Sequence, residues 1–354
     1  MKKLLLSSII TASLALTACG STDETATTEV AQTAQTTYPV DFKKFGMTPE
    51  QYVRAESDIN MDFYFQKQPA INELIHLKKP ISVAGQVVVR SNNDTLYSLG
   101  VVDARNGFTI SLPDTGDRYQ SAYVINQDHY PEEVFYGEGT YEVEADTDYV
   151  FIVVRTQMNP YDEADVAKVV KDIQPKITIE SNSAVPFTMS KFDKEQVVAL
   201  RTELDKEMAK IGSFDGTMDV KGKVDPFLHV LGASSGWGLL PEKDASYTTD
   251  PVNLPADGCY QATYAKPPVD GFWSITMYDK GTFLFTDTNG ILNDYNVTYN
   301  DDGSFTVNYG SIEDCGDVAN RLEITEGWNY LMRFYKPRLD ELKDYQLPEI
   351  KKIK

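Results

Sequence analysis

Alternation of apolar and polar side chains is the strongest pattern in the chain, and it comes in two blocks. In the first, segments 83–90, 95–102, 108–112, 119–126 and 149–155 alternate with a period of two, the repeat at which successive strand side chains point to opposite faces. Arg105-Asn106-Gly107 and Asp114-Thr115-Gly116-Asp117 supply turn chemistry between them. Short strands at this spacing predict a β-sandwich or a barrel-like sheet. Along 119–125 the odd positions are Tyr119, Ser121, Tyr123 and Ile125, and the even ones are Gln120, Ala122 and Val124. Both faces of that strand are therefore expected to be at least partly covered. The second block begins near Gly258 with segments 260–264, 272–278, 282–286, 296–299, 304–309 and 328–335, and Asn300-Asp301-Asp302-Gly303 predicts a hairpin between two of them. In 272–278, Phe272, Ser274, Thr276 and Tyr278 share one face, while Trp273, Ile275 and Met277 share the other.

Helical spacing appears before and between the blocks. Thr48, Pro49 and Gln51 form a start signal of hydroxyl cap, proline at the first position and Gln at the third. Tyr52, Ala55, Ile59 and Phe63 then recur on one face. Pro69 ends this element, and 70–76 is read as a short second helix. Asp162 with Asp165 opens a helix carrying Val166, Val169, Val170 and Ile173. Asp193 with Gln196 opens another, which carries Val197, Leu200, Leu204, Met208 and Ile211 and stops at Gly212. The expected architecture is mainly β with helical additions: a first β-sandwich over 38–180 with an N-terminal helix, a helical connector over 181–254, and a second β-sandwich over 255–354.

The N-terminus adds an address. Lys2 and Lys3 precede an apolar run, 4–16, that ends in Leu16-Thr17-Ala18-Cys19. The run is shorter than the roughly 20 residues of a membrane-spanning helix, so it reads as a lipoprotein signal peptide over 1–18 with Cys19 as the lipidated residue. Several acyl chains, at about 0.8 kcal/mol per buried CH2, give lasting attachment. Gly20 rather than Asp follows. By resemblance to Gram-negative lipoproteins, where Asp at that place favours the inner membrane, this predicts an outer-membrane protein facing the periplasm. Segment 19–37 is rich in Thr, Ala, Ser, Gln and Glu and reads as a disordered tether.

Charge narrows the partners. The chain carries 33 Lys plus Arg against 53 Asp plus Glu; loss of Lys2 and Lys3 with the signal leaves 31 − 53 = −22. Such a surface repels phosphate backbones, which argues against nucleic-acid binding, and it favours solubility. With Cys19 assigned to lipid, Cys259 and Cys315 remain. An oxidising compartment permits them to pair; the alternative is two buried thiols. Neither a CxxC nor a Cys/His cluster occurs, so no metal or cofactor is expected.

Few motifs carry chemistry. Gly232-Ala233-Ser234-Ser235-Gly236 matches GxSxG, yet a nucleophile elbow needs a strand before it and a helix after it, and no His follows His229. Gly232 and Gly236 are read instead as permitting a tight turn that places Trp237. Asp128 and His129 are adjacent, so only a turn brings both to one pocket; with Pro131 close by, His129 is a candidate acid or base. Asp287, Asn289 and Gly290 resemble a fragment of a calcium loop but lack its spacing and closing Glu, so a turn accounts for them better. Asn92, Asn93 and Asp94 either cap a turn or, with Tyr97, project into a pocket at the entrance of a strand.

Longer stretches resemble known families. NNDTLYSLGVVD, LPDTGDRYQSAYVINQDHY and YVFIVVRT resemble domain-of-unknown-function family 1254. DPFLHVLGASSGWGLLPEKDASY resembles its connecting region, and PVDGFWSITMYD, NDDGSFTVNYG and GWNYLMRFYKPR resemble the companion family 1214. The likeness runs over about 45–347, with Leu239 and Leu240 standing where a Gly-Asn pair is expected. It implies two jelly-roll-like sandwiches in secreted or lipid-anchored bacterial proteins and no established activity. It also selects candidates: Asp94, Asp128 and His129 as catalytic, and Asn93, Tyr97, Arg155, His229, Trp237 and Trp273 as ligand-binding in a cleft between the sandwiches. The functions it leaves open are a binder of a small polar ligand or glycan, a metal-independent hydrolase using His129 and a carboxylate, and an envelope scaffold with an oligomer interface.

Overall fold

Sixteen strands in four sheets are laid down by the two alternating blocks in this computed structural model, in which residues 38–86, 89–249 and 252–354 are described. The expected signal peptide, Cys19 and the tether lie outside the described residues. Among the described residues no helix is long and apolar enough to cross a membrane.

The first sandwich pairs a five-stranded sheet, in the order Ile75–His76, Thr95–Asp103, Tyr149–Gln157, Gln120–Asn126 and Pro131–Tyr136, with a three-stranded sheet of Gly139–Val143, Phe108–Leu112 and Thr178–Ser181. Period-two alternation divides the large sheet cleanly. Val102, Ala122, Val124, Val150, Ile152 and Val154 pack against Phe108, Ile110 and Leu112 of the small sheet. Leu99, Tyr119, Tyr123, Ile125, Phe151 and Val153 point the other way.

In the second sandwich, Ile291–Asn293, Trp273–Tyr278, Asn329–Tyr335 and Ala245–Thr248 form one sheet, and Arg321–Leu322, Phe305–Tyr309, Tyr260–Tyr264 and Lys351–Lys352 form the other. Its core is aromatic: Trp273, Ile275, Met277, Tyr330, Met332 and Phe334 meet Tyr264, Phe305, Val307 and Tyr309. Trp273 stacks on Phe305 with ring centroids 4.3 Å apart. A disulfide joins Cys259 to Cys315 across 56 residues.

Between the sandwiches lies a third layer. The odd face of the five-stranded sheet meets Ala245, Phe272 and Tyr335 from the second sandwich, with Met61 from the helix Pro49–Phe65 and Leu240 completing the cluster. That helix begins at the Thr48 capping box and packs with Lys194–Ile211 and Pro226–Ser235 through Tyr52, Val53, Leu200, Leu204, Val230 and Leu231. The cap places Tyr52 and Ala55 inward, while Phe63 is exposed. Lys194–Ile211 is capped by the Asp193 carboxylate and ends on Gly212 in the left-handed region.

Several expected elements differ. Segment 70–76 is not a helix: it carries only the short strand Ile75–His76, whose pairing opposite Leu99 and Ser98 binds it to the sheet edge. Val83–Gly85 is a 3-10 turn rather than part of a strand. Segments 282–286 and 296–299 are not strands either. Thr282 takes φ 63°, and the Gln86 side chain occupies both the N–H and the C=O of Leu284 at 2.8 Å, a substitute for ladder bonds. Asn300 to Gly303 does turn, with the Asn300 N–H donating to Ser304 O at 2.8 Å, but it has a strand on one side only. Pro131–Tyr136, Gly139–Val143, Thr178–Ser181, Ala245–Thr248 and Ile291–Asn293 are strands without having been expected.

Candidate functional site

Polar side chains concentrate in the layer between the sandwiches, and the stretch before Thr95–Asp103 delivers the first of them. The Asn92 carboxamide oxygen accepts the Asp94 N–H at 2.7 Å. Asn93 clamps Ile81, accepting from its N–H at 2.7 Å and donating to its carbonyl at 3.0 Å. This is turn architecture of the kind short amide side chains favour. It drives the Asp94 carboxylate, fully buried, against the second sandwich. There it accepts from Ser274 Oγ at 2.6 Å and Asn293 Nδ2 at 3.3 Å. Burial raises the Asp94 carboxyl above its ordinary value, and the charge of Arg333 and these two bonds pull it back. Arg333 is itself buried and donates to Thr276 Oγ1 at 2.9 Å, to the Tyr278 hydroxyl at 2.7 Å and to Arg90 O at 2.8 Å. Asp94 thus ties the two sandwiches together; its carboxylate bonds to Ser274 and Asn293.

Arg155 stands on the neighbouring strand. Register places it directly between Tyr97 and Ser121 on one face of the sheet, and its side chain is only 7% exposed. One guanidinium nitrogen, Nη2, reaches Gly238 O at 3.4 Å; the other, Nη1, has no partner among the described residues. On the adjacent strand the Tyr123 hydroxyl is likewise buried without a partner among the described residues, and the buried hydroxyls of Ser121 and of Tyr119, just before that strand, lie beside each other and Tyr136 without a well-aligned hydrogen bond among the described residues. Tyr97 presents its ring 5.5 Å from the guanidinium, and Tyr247 and Tyr335 of the second sandwich lie near it. Burial pushes the Tyr119 hydroxyl up to about 12 and raises Tyr123, Tyr247 and Tyr335. All four are therefore neutral near pH 7.

The histidines form a third group. A tight turn over Asn126–Tyr130, in which the Asn126 side chain accepts the N–H groups of Asp128 and Tyr130, puts His129 at φ 61°. The turn separates the two residues it was expected to unite. Asp128 faces Arg54 at 2.6 Å, whereas His129 is fully buried and accepts the Gly238 N–H at Nε2, 3.0 Å away. His129 and Asp128 accordingly do not form a dyad. That bond places the His129 proton on Nδ1, which has no partner among the described residues. His229 donates through Nε2 to the Asp128 carbonyl at 2.9 Å and stacks on Tyr130 at 4.1 Å. Burial, and for His129 the neighbouring His229, lowers the pKa of both rings. Trp237 stacks on His129 with centroids 5.9 Å apart and donates to Ser57 Oγ at 3.0 Å.

Gly238 joins these groups, its N–H serving His129 and its C=O serving Arg155. Its φ of 81° is a conformation that L side chains seldom adopt.

Other candidates fall elsewhere. Trp273 points into the core of the second sandwich, away from the layer, because it lies on the opposite pleat to Ser274. Ser234 and Ser235 lie at the end of Pro226–Ser235, and both donate to Asp205, at 3.0 and 2.6 Å. Gly232 lies inside that helix rather than in a turn; a Cβ there would meet Thr217 O at 2.8 Å. Asn93 lines a surface cleft of about 220 Å³ with Ile81, Tyr161, Leu284 and Asp287, which draws on both halves of the chain. Asp287 there accepts the Val83 N–H at 2.8 Å, and among the described residues no cluster of His, Cys, Asp or Glu could hold a metal ion. Asp294, near Asp94, is raised to about 6 by burial and accepts from Gln157 Nε2 at 2.7 Å.

Comparison with known proteins agrees with the layout. The model of a protein of unknown function, DUF1254, matches residues 71–131, and that of a second protein of unknown function, DUF1214, matches residues 244–339. Asp94, Tyr97, Tyr119, Ser121, Tyr123 and His129 fall in the first match and Tyr247, Arg333 and Tyr335 in the second; Arg155, Trp237 and Gly238 lie between them. Among solved structures, the VPA0106 protein from Vibrio parahaemolyticus is similar at 18% identity and a TM-score of 0.67, over 89% of this chain and 100% of that one. A putative uncharacterized protein from Burkholderia cenocepacia is similar at 14% identity and a TM-score of 0.50, over 88% of this chain and 92% of that one. These likenesses establish the fold. No curated protein matches the chain.

Proposed function

We propose that this chain is a lipid-anchored, periplasm-facing envelope protein that binds a small polar ligand, or one sugar of a glycan, between its two sandwiches. The observation that carries this reading is the group of buried polar atoms on one layer to which the described residues give no well-aligned hydrogen bond: Arg155 Nη1 and the hydroxyls of Tyr119, Ser121 and Tyr123. Buried polar groups are otherwise paired in more than about nine cases in ten, so such a group calls for a partner that the described residues do not supply. Tyr97, Trp237, Leu239 and Tyr247, packed against the same apolar cluster, are only half-buried. Lipid attachment through Cys19 rests on the sequence 1–19. The hydrolase alternative has less support, since Asp128 serves Arg54 and leaves His129 without a carboxylate.

A melting-temperature screen of the tag-free mature chain against monosaccharides, amino acids and organic acids tests the binding. A ligand present at a hundred times its Kd adds about 2.7 kcal/mol of stability, an easily read shift. If no member of the three classes moves the transition, the reading fails. Incorporation of a labelled fatty acid into the wild-type chain but not into Cys19→Ser checks the anchor.

A further inference from the structure

Among the described residues, Arg155 differs from the other buried arginines in having no acidic or multiple-acceptor partner. Arg118 is held by Asp165 and by Gln157 O. Arg333 has three hydrogen-bond acceptors and the charge of Asp94 nearby. Arg155 has one long contact to a carbonyl and, among the described residues, no ion pair. Two buried carboxylates of the same region are engaged elsewhere: Asp94 with Ser274 at 2.6 Å, and Asp244 with the Tyr136 hydroxyl and Lys243, each at 2.8 Å. Tyr119, Tyr123, Tyr247 and Tyr335 are neutral, so they offer hydroxyls and ring faces but no countercharge. A buried charge without a partner is costly enough, at several kcal/mol, that its retention asks for a reason.

The surroundings specify the missing partner. Arg155 Nη1 and the Tyr119, Ser121 and Tyr123 hydroxyls are all able to donate, and among the described residues no buried carboxylate is left without a partner to receive them. A neutral sugar, which brings as many donors as acceptors, leaves the guanidinium charge uncompensated. A carboxylate brings only acceptors, carries the opposite charge and matches the planar fork of a guanidinium. Beside the guanidinium stand the Tyr97 ring, 5.5 Å away, and Trp237 and Leu239, which flank its Gly238 contact and are half-buried. These apolar surfaces suit an apolar body attached to the acid. We propose that Arg155 anchors the carboxylate of a small organic acid whose apolar part lies against Tyr97, Trp237 and Leu239. This deepens the interdomain-binding reading and rests on it.

Titration calorimetry with benzoate and hexanoate, with benzamide, phosphate and sulfate as comparators, tests the proposal on the full mature chain. Benzoate or hexanoate is expected to bind the wild type, and Arg155→Met to weaken that binding by about tenfold or more, the range of a lost charge-assisted bond. Arg155→Lys keeps the charge without the fork and is expected to fall between them. Because Arg155→Met removes a buried unpaired charge, its ligand-free melting temperature is expected to equal or exceed that of the wild type. A pronounced drop in that temperature makes Arg155 a structural residue and overturns the proposal. So does tighter binding of phosphate or sulfate than of either carboxylate, or a failure of both carboxylates to bind. Binding of benzamide or a monosaccharide without either carboxylate overturns the role of Arg155 alone and leaves interdomain binding standing; silence from every class removes both.

Discussion

Removal of the Asp94 carboxylate tests whether the two sandwiches are held together by a buried polar tie or by apolar contact alone. Asp94→Ala deletes a charge-assisted bond to Ser274 Oγ at 2.6 Å and a weaker one to Asn293 at 3.3 Å. Charge-assisted bonds contribute about 1.5–3 kcal/mol each. The variant also removes the negative charge near Arg333, which is 2% exposed and bonds to Thr276, Tyr278 and Arg90 O and not to Asp94 itself; losing one partner of a directly bonded buried pair costs about 3–5 kcal/mol, an upper bound here. These contributions overlap, because the same charge supplies both, so the expected loss is at most about 3–5 kcal/mol in total. Asp94→Asn keeps an acceptor for Ser274 and is expected to lose less. Urea unfolding followed by tryptophan fluorescence reads both sides of the tie, since Trp237 lies in the layer and Trp273 and Trp328 in the second core. A double-mutant cycle with Ser274→Ala isolates the bond, with an expected coupling of about 1 kcal/mol or more. A loss below about 1 kcal/mol for Asp94→Ala, with no coupling to Ser274, would refute the argument.

Two further outcomes follow from other parts of the molecule. The Cys259–Cys315 bridge closes 56 residues, for which the chain-entropy relation gives about 4 kcal/mol; Cys259→Ala with Cys315→Ala is expected to lower the urea midpoint accordingly, and an unchanged midpoint would count against a stabilising bridge. The folded pKa of His129 and of His229 lies below 6.5, so the unfolded chain binds the extra protons. Stability is then complete above the unfolded pKa and falls as pH drops from about 6.5 towards the folded values, by at most about 1.4 kcal/mol per pH unit for each ring. Asp294, raised to about 6, works in the opposite sense below that pH, because the folded chain then holds the proton. His129→Asn, which tolerates the positive φ and does not titrate, is expected to flatten the decline between pH 7.5 and 5.5; parallel curves for the two chains would exclude His129 as a cause.

How far the layer could be read from the chain depended on how local its causes are. The Thr48 capping box, the Gly212 stop and the strands Phe108–Leu112 and Tyr260–Tyr264 follow from residues a few places apart. The pleat of 272–278 likewise separates Ser274 from Trp273, though nothing local says that Ser274 meets Asp94 across 180 residues. Pro131–Tyr136 escapes because its Pro and paired Glu residues resemble a loop, and a strand at the sheet edge tolerates them. Conversely, 282–286 alternates like a strand, but a side chain from Gln86 takes the backbone groups a neighbouring strand would have used. Tyr119, Ser121 and Tyr123 announce a polar-aromatic face. Tyr247 and Tyr335, which lie near them from the second sandwich, carry no signal in sequence because the strand they meet is more than 90 residues away.

Gly238 explains why chemistry from distant segments meets at one place. Both of its backbone groups are used, one by the imidazole of a strained turn and the other by a buried guanidinium. The N–H and the C=O of Gly238 belong to successive rigid peptide units that are joined through its φ and ψ, so the two bonds constrain each other only through those two dihedrals. The φ of 81° is one that glycine adopts freely and that other residues seldom do. Trp237, fixed by Ser57 on one side and by His129 on the other, anchors the preceding residue. The imidazole thus meets, through the N–H of Gly238, the residue whose carbonyl faces Arg155.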